Sequence, residues 1–523
     1  MTDLYAFLLQ QYEPGDQISI FGFSRGAFTA RVLANMLFVC GIADARNADG
    51  QQKLPHEIKD LAEQAVAAYK KRSFCNPHLG APAKFREKFG RRDALNVEGK
   101  PGWFKLHFVG VWDTVEAYGL PVDELADALT DTFGWFPLRF QEEGGVCEND
   151  LHPLIDNACH AIAIDDERHG FHPKLWIENA PFDPHTGKPL PDSARVMNLG
   201  ATRNPNQVVR QVWFSGMHSN VGGGYLQDQM AHVSLIWMME QAQACGAIFD
   251  QAMLQRYRQS ADSNGRMYDS RAGAAIYFRY RPRDLRILCA SGGVAEPLIH
   301  ESVFNRIKRH TDGYAPTGVP ESYVVEPPTG QSGERNSAAR MALHDYVDDL
   351  IWKRRVLYSL FVGETLLFLF TLWYLASDPT QLNLQSMHCA ERIAYVFWEP
   401  IVQVGGWLMP DYFQSGWTEL GQRPWWLTGF VVVLAVLTIR GHALKEKIRD
   451  TANLGWAISM TGATGPATPP KSSLRFIRMN PVIKSVAILF QRRMAPFLLL
   501  AAIVGGIGWV LYRWLGPMLD VCK

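Results

Sequence analysis

Ser24 stands in Gly22-Phe23-Ser24-Arg25-Gly26, a G-x-S-x-G pattern. Before it runs Ile18-Ser19-Ile20-Phe21, β-branched and aromatic as strands are; after it Ala27 to Leu33 carries the apolar spacing of an amphipathic helix. A serine at such a strand-to-helix turn reads as a nucleophile elbow. Gly22 and Gly26 would remove Cβ atoms so that the chain can turn sharply and lift the hydroxyl into a cleft. The backbone N–H of Arg25, at the helix N-terminus, is the expected oxyanion donor, because the helix dipole favours negative charge there.

A serine hydroxyl attacks poorly until a histidine takes its proton, and that histidine needs a carboxylate to fix its tautomer. Leu106 to Val115 is an apolar strand pattern ending in Asp113, and Val208 to Tyr225 is a strand pattern ending in His218 and a glycine turn. The order Ser24, Asp113, His218 is that of α/β-hydrolases. Asp113 also reads as a turn cap, and His218 as a ring packed against the glycine turn. His160, with Asp165 and Asp166, and His300 compete for the same roles, although their charged surroundings read equally well as solvated helix ends.

The elements that position these groups belong to a chain of 523 residues with 52 basic and 52 acidic side chains. Zero formal charge excludes a globally basic nucleic-acid binder, and 47% hydrophobic residues indicate a folded chain, at this length with more than one core. The eight cysteines show no C-x-x-C spacing, so neither a zinc site nor a disulfide framework is expected, and most read as core thiols. Met1-Thr2-Asp3-Leu4 lacks the basic and apolar regions of a secretory signal.

Composition changes near Ile351. Beyond it lie three apolar stretches, 356–376, 424–439 and 494–512, of the length and character of membrane spans. Glu364 alone interrupts the first; Trp425 and Trp426 read as interfacial anchors of the second. Basic residues crowd before the first span (Lys353 to Arg355) and between the second and third (Arg440 to Arg493), while Arg392 and Arg423 are the basic residues between the first and second. By the positive-inside rule the N-terminal domain and second loop are cytoplasmic. The run Pro327 to Gly333 reads as a linker, and Thr461 to Pro470 as a second break. The expected domains are thus 1–325, a linker at 326–350, and a membrane-associated helical region at 351–523.

Five motifs, Gly22 to Ala27, Val109 to Val115, His160 to Arg168, Val212 to Tyr225 and Ile299 to Arg306, fall in the order seen in the α/β-hydrolase domain of type VI secretion lipase effectors. The chain resembles the first class of those phospholipase effectors and their uncharacterised relatives over roughly Asp16 to Val325. The resemblance implies an α/β fold with an α/β-hydrolase-like, mostly parallel sheet. It also implies a serine hydrolase acting on membrane glycerophospholipids through Ser24, Asp113 and His218, with Arg25 at the oxyanion. No metal or cofactor is called for. The implied partners are a phospholipid substrate, a type VI secretion spike or adaptor and a cognate immunity protein, with no nucleic acid. The implied location is a multi-pass protein of the bacterial inner membrane or the target-cell membrane.

Two departures add expectations. Family members usually carry a strand and an F-D-G-T-type loop well upstream of the serine, and here only Met1 to Gly15 precede the nucleophile strand. The sheet is therefore expected to be N-terminally incomplete and to lack a second oxyanion donor, as in a truncated or degenerate relative acting as a binding partner. An esterase acting on soluble acyl esters is a further alternative. Relatives also typically carry Asp where Asn220 stands, from which weakened activity is expected. Asp123 to Phe136 has near-helical apolar spacing and reads as a packed helix or a lid.

Overall fold

The structure, a computed structural model, describes residues 1–47, 49–71, 80–91, 106–115, 155–179, 188, 207–327, 338–377, 388–409, 411–461, 472, 474 and 480. The chain divides into two compact units: Met1–Gly119 with Arg139–Ser337, and Leu120–Leu138 with Ala338–Lys523.

The first unit is built on a parallel sheet whose described strands run in the order β1 (Ile18–Phe23), β2 (Leu106–Trp112), β3 (Ile155–Ala163), β4 (Val208–Phe214), β5 (Leu298–His300) and β6 (Val324–Glu326). β2 reads as a nearly unbroken apolar run because a parallel strand covered on both faces has no side to give to water. Val109 and Val111 on one face, with Ala158 of β3, join a core with helices α1 (Thr2–Gln11), α2 (Arg25–Cys40), α3 (Pro55–Lys70) and α4 (Ala81–Phe89). Phe108 on the other face, with Cys159, Ala161 and Ala163 of β3 and Val212 and Phe214 of β4, packs on Trp237 and Met238 of the helix Gln229–Ala244. The alternation between these two sets is the period-two pattern of a pleated strand. The segment 1–15 forms α1 and the turn after it, and no strand among the described residues pairs with the other edge of β1.

The register brings the strand ends level. Phe23 pairs with Trp112, Trp112 with Ala161, and Ala161 with Val212. Loops after the C-terminal ends of parallel strands therefore meet along one edge, where ligands bind in open α/β sheets. Two further helices follow β4, α5 (His218–Gly222) and the Gln229–Ala244 helix, α6, and then come α7 (Gln251–Ser260), α8 (Leu285–Ser291) and α9 (Glu301–Lys308).

The second unit holds α10 (Ala338–Ser377), α11 (Cys389–Leu408), α12 (Asp411–Gly421) and α13 (Pro424–Thr461). Two helical stretches, Met341–Ala376 and Pro424–Met460, are long and apolar enough to cross a membrane. The expected spans 356–376 and 424–439 lie inside them, whereas 494–512 lies outside the described residues. Val347 and Leu350 of α10 meet Ile448 of α13, and Leu372 and Leu375 meet Leu427, so the two helices run antiparallel. Trp398 of α11 and Trp417 and Leu420 of α12 close the end near Leu372.

Two boundaries differ from expectation. α10 begins at Ala338, so residues 338–350 of the anticipated linker are helical: Ala-Ala-Arg-Met-Ala-Leu are strong helix formers, and Leu343, Val347 and Leu350 bury one face. Residues 328–337 lie outside the described residues, as do the 123–136 stretch and most of the break at 461–470. α13 also continues past residue 439 to Thr461, because its charged segment keeps Leu444, Ile448 and Ala452 at helical spacing. Cys40, Cys159 and Cys289 are buried free thiols, while Cys389 is exposed.

The glycines of the serine turn are not equivalent. A Cβ on Gly22 would sit 2.5 Å from the Gly26 carbonyl oxygen and 2.8 Å from Ala27 Cα, whereas one on Gly26 would meet nothing within 4 Å. Only Gly22 is required by packing, which corrects the expectation for Gly26. Gly22→Ala is expected to destabilise the chain by about 1–3 kcal/mol by forcing a backbone shift, while Gly26→Ala, in the first turn of α2, is neutral or slightly stabilising; denaturant titration of the two variants beside the wild type measures the difference.

Candidate active site

Three turns at the C-terminal edge of the sheet carry the predicted side chains. Ser24 takes φ 60°, ψ −125° between β1 and α2, a left-handed conformation that a non-glycine residue holds only when its surroundings enforce it. They do so here: the Ser24 N–H donates to the Trp112 carbonyl at 3.0 Å, and the Ser24 carbonyl accepts from Ala27 and Phe28. Asp113, directly after β2, is also left-handed at φ 39°, a conformation that Asp tolerates well, and its N–H donates to the Ala161 carbonyl at 2.8 Å.

His218 opens α5 after the turn at Gly216, where φ is 109° and a Cβ would lie 2.5 Å from Asn220 Cβ. The structure brings the three groups together. His218 Nδ1 lies 2.5 Å from Asp113 Oδ2, and His218 Nε2 lies 2.7 Å from Ser24 Oγ. An ionised carboxylate only accepts, so Nδ1 carries the hydrogen and Nε2 is left to accept from the serine hydroxyl. Asp113 is fully buried and His218 nearly so; Ser24 is half-buried, and Arg25, the first residue of α2, is exposed.

Burial pushes the Asp113 carboxyl up, but the Arg283 charge and the hydrogen bonds from His218 and Arg283 outweigh it and hold the group well below the usual carboxylate range. Arg283 binds both carboxylate oxygens, Nη1 to Oδ1 at 2.6 Å and Nη2 to Oδ2 at 2.8 Å. The His218 ring packs between Phe23, 4.6 Å away, and Phe171, which meets it edge-on at 5.2 Å. Phe23 reaches this position only because position 222 is glycine; a Cβ there would fall 2.0 Å from the Phe23 ring.

The competing groups have other partners. His160 lies buried within β3 rather than at a solvated helix end, and both its ring nitrogens are engaged: Nε2 accepts from the Thr114 N–H at 3.1 Å, and Nδ1 donates to Gln211 Oε1 at 3.3 Å. His300 caps α9 through the Ser302 N–H and stacks on Phe214. Asp165 accepts from the Gly216 N–H at 2.6 Å and the Tyr314 hydroxyl at 2.8 Å, and burial pushes its carboxyl up to about 6 against those two bonds. Asp166 pairs with Arg168 and accepts from the His218 N–H. These two carboxylates hold the loop that presents His218.

Asn220 is buried, donating from its amide to the Arg266 carbonyl at 3.1 Å and accepting from the Tyr268 N–H at 3.4 Å. An aspartate could make only the second bond, so the departure noted in the sequence serves the 266–268 loop. Sequence reasoning passed over Arg283 and Phe171, which lie outside the strands and α-helices, Phe171 in a single 3-10 turn. Asp284, the helix cap immediately after Arg283, was the available signal that a fixed loop ends there.

The buried histidines give a pH dependence. Burial, then the nearby Arg31 charge, holds His160 down to about 3, and burial holds His300 down to about 4, against 6.5 for a free side chain. Below pH 6.5 the unfolded chain binds protons that the folded chain does not, so this stability is present above about pH 6.5 and is lost as pH falls toward 4. Each histidine contributes up to about 1.4 kcal/mol per pH unit in that window. Melting followed by fluorescence of the buried Trp176 and Trp213 should show the midpoint falling between pH 6.5 and 4.5, with a shallower slope in His160→Gln.

Residues 1–241 match the model of the T6SS phospholipase effector Tle1-like catalytic domain. The uncharacterized protein YEL023C of Saccharomyces cerevisiae is 26% identical over 229 residues, which cover 41% of this chain and 28% of that protein; the chain thus spans less than a third of the length of this curated relative. No solved structure matches the chain. The stretch matched to this phospholipase effector catalytic domain, residues 1–241, includes Ser24, Asp113 and His218.

Proposed function

We propose that the chain is a serine hydrolase that cleaves ester bonds of membrane glycerophospholipids, acting as an antibacterial type VI secretion lipase effector. The observation that carries this reading is the hydrogen-bonded series from Ser24 Oγ through the His218 ring to the Asp113 carboxylate. Ser24 Oγ attacks the acyl carbonyl as its proton passes to His218 Nε2, and Asp113 steadies the imidazolium that forms. The Arg25 N–H donates to the carbonyl oxygen as it gains charge, helped by the N-terminal end of α2. His218 then protonates the leaving lysolipid oxygen. Water, deprotonated by the same ring, releases the fatty acid from the acyl-serine.

Membrane association fits this substrate. Two helical stretches long and apolar enough to cross a bilayer would keep the chain among its lipids, in the inner membrane or the target-cell membrane. The family match supports the effector role, in which a secretion spike or adaptor and an immunity protein are the partners.

The test is fatty-acid release from phospholipid vesicles by the purified full chain beside Ser24→Ala, with a short-chain soluble ester as the second substrate. Release is expected from vesicles and should fall by about 10³-fold or more in the variant. Turnover of the soluble ester alone would assign an esterase, and no serine-dependent turnover by folded protein would assign a catalytically impaired binding partner.

A further inference from the structure

We propose that Arg283 is a positioning residue of this site: its guanidinium fork fixes the plane of the Asp113 carboxylate and so aims the His218 ring at Ser24. The inference rests on reading Ser24 as the nucleophile. Residue 283 lies beyond the family match at 1–241, and α8 begins two residues after it.

An ionised carboxylate offers about four acceptor directions, and at Asp113 four donors take them. Oδ1 receives Arg283 Nη1 at 2.6 Å and the Ala163 N–H at 3.0 Å; Oδ2 receives Arg283 Nη2 at 2.8 Å and His218 Nδ1 at 2.5 Å. Both ends of the Arg283–Asp113 pair are fully buried, so the paired geometry is not shared with water. Two parallel N–H···O bonds from a planar fork set the plane of the carboxylate, which a lysine could not do. With that plane set, Oδ2 faces His218 Nδ1 and the ring keeps Nε2 toward Ser24.

The same guanidinium also donates to the Ala163 and Phe171 carbonyls. It thereby ties the end of β3 and the turn carrying Phe171 to the acid, and Phe171 is the ring set edge-on to His218. The backbone of Arg283 is itself fixed: Leu285 N–H donates to the Gly318 carbonyl at 2.9 Å, and a Cβ on Gly318 would fall 1.9 Å from the Arg283 carbonyl oxygen.

The surroundings of His218 show how Arg283 reaches it. The charged and titratable groups facing it or its loop are Asp113, Arg283 behind Asp113, the Asp166–Arg168 pair, Asp165, Tyr225, His160 behind Thr114, and His169, His172 and Arg281 around the Phe171 turn. Asp166 is matched by Arg168, and Asp165 by Tyr314 and the Gly216 N–H. Arg283 is the cation bonded to the acid itself. It shares the carboxylate with His218 and so acts on the ring through the acid.

The test is kcat and KM, measured separately, for a short-chain soluble ester, using the full chain in detergent, for the wild type, Arg283→Gln and Arg283→Lys, with folding checked by circular dichroism. Arg283→Gln is expected to lose about ten-fold or more in kcat and Arg283→Lys several-fold, each at unchanged KM. A folded Gln variant with wild-type kcat, beside an active wild type, overturns this inference and leaves the nucleophile reading intact. A folded but inactive wild type overturns both. If the Gln variant does not fold, the Lys variant decides: lower kcat at unchanged KM supports the fork, and wild-type kcat overturns it.

Discussion

A negative charge lies fully buried at the end of β2, and the site is arranged around making it tolerable. Asp113 in apolar surroundings with no partners would be protonated or would disrupt the sheet. Four donors from three parts of the chain meet it instead: the end of β3, the loop after β4, and both arms of Arg283 from the segment before α8. Each contact constrains another element. The β3 donor requires level strand ends, the His218 donor requires the tight turn at Gly216, and Arg283 requires a loop pinned at Gly318. The serine turn joins the same system, since Ser24 N–H is bonded to the residue immediately before Asp113.

Much of this could be read before any coordinates. Ser24, Asp113 and His218 each follow an apolar strand pattern, and a parallel sheet gathers such positions at one edge. Gly22, Gly26 and the glycine run after His218 marked the turns, although the sequence does not separate Gly22, whose Cβ would strike backbone, from Gly26, which has room. Arg283 and Phe171 were not legible because segments outside the strands and α-helices have no periodicity from which to infer facing. His160 misled for a related reason: the Asp-Asp-Glu-Arg run beside it follows β3, and proximity in sequence suggested a solvated end for a residue two strands deep in the sheet.

The second unit carries two helices long and apolar enough to cross a membrane. α10 and α13 hold 40 and 38 residues, about 60 Å and 57 Å of helix against a hydrocarbon core of about 30 Å. Each helix therefore has length beyond any span. On α10 the excess is the N-terminal part with Lys353 to Arg355, and on α13 the C-terminal part after Ile439. The antiparallel pairing puts both charged ends on one side, where Val347, Leu350 and Ile448 pack as they would in water. The linker was misjudged because a Pro/Gly run suggested that order stops, whereas the Ala-rich segment that follows starts a helix.

The central claim, that Ser24 is a nucleophile activated by His218, is tested most directly by a covalent trap that needs no knowledge of the natural lipid. The folded full chain is treated with a fluorophosphonate, and the adduct is counted by intact mass and located by peptide mapping. The account predicts one phosphonyl group per chain, on Ser24, and none after the protein has been unfolded before treatment. A folded chain that takes up no adduct, or takes it up on another residue, would contradict it.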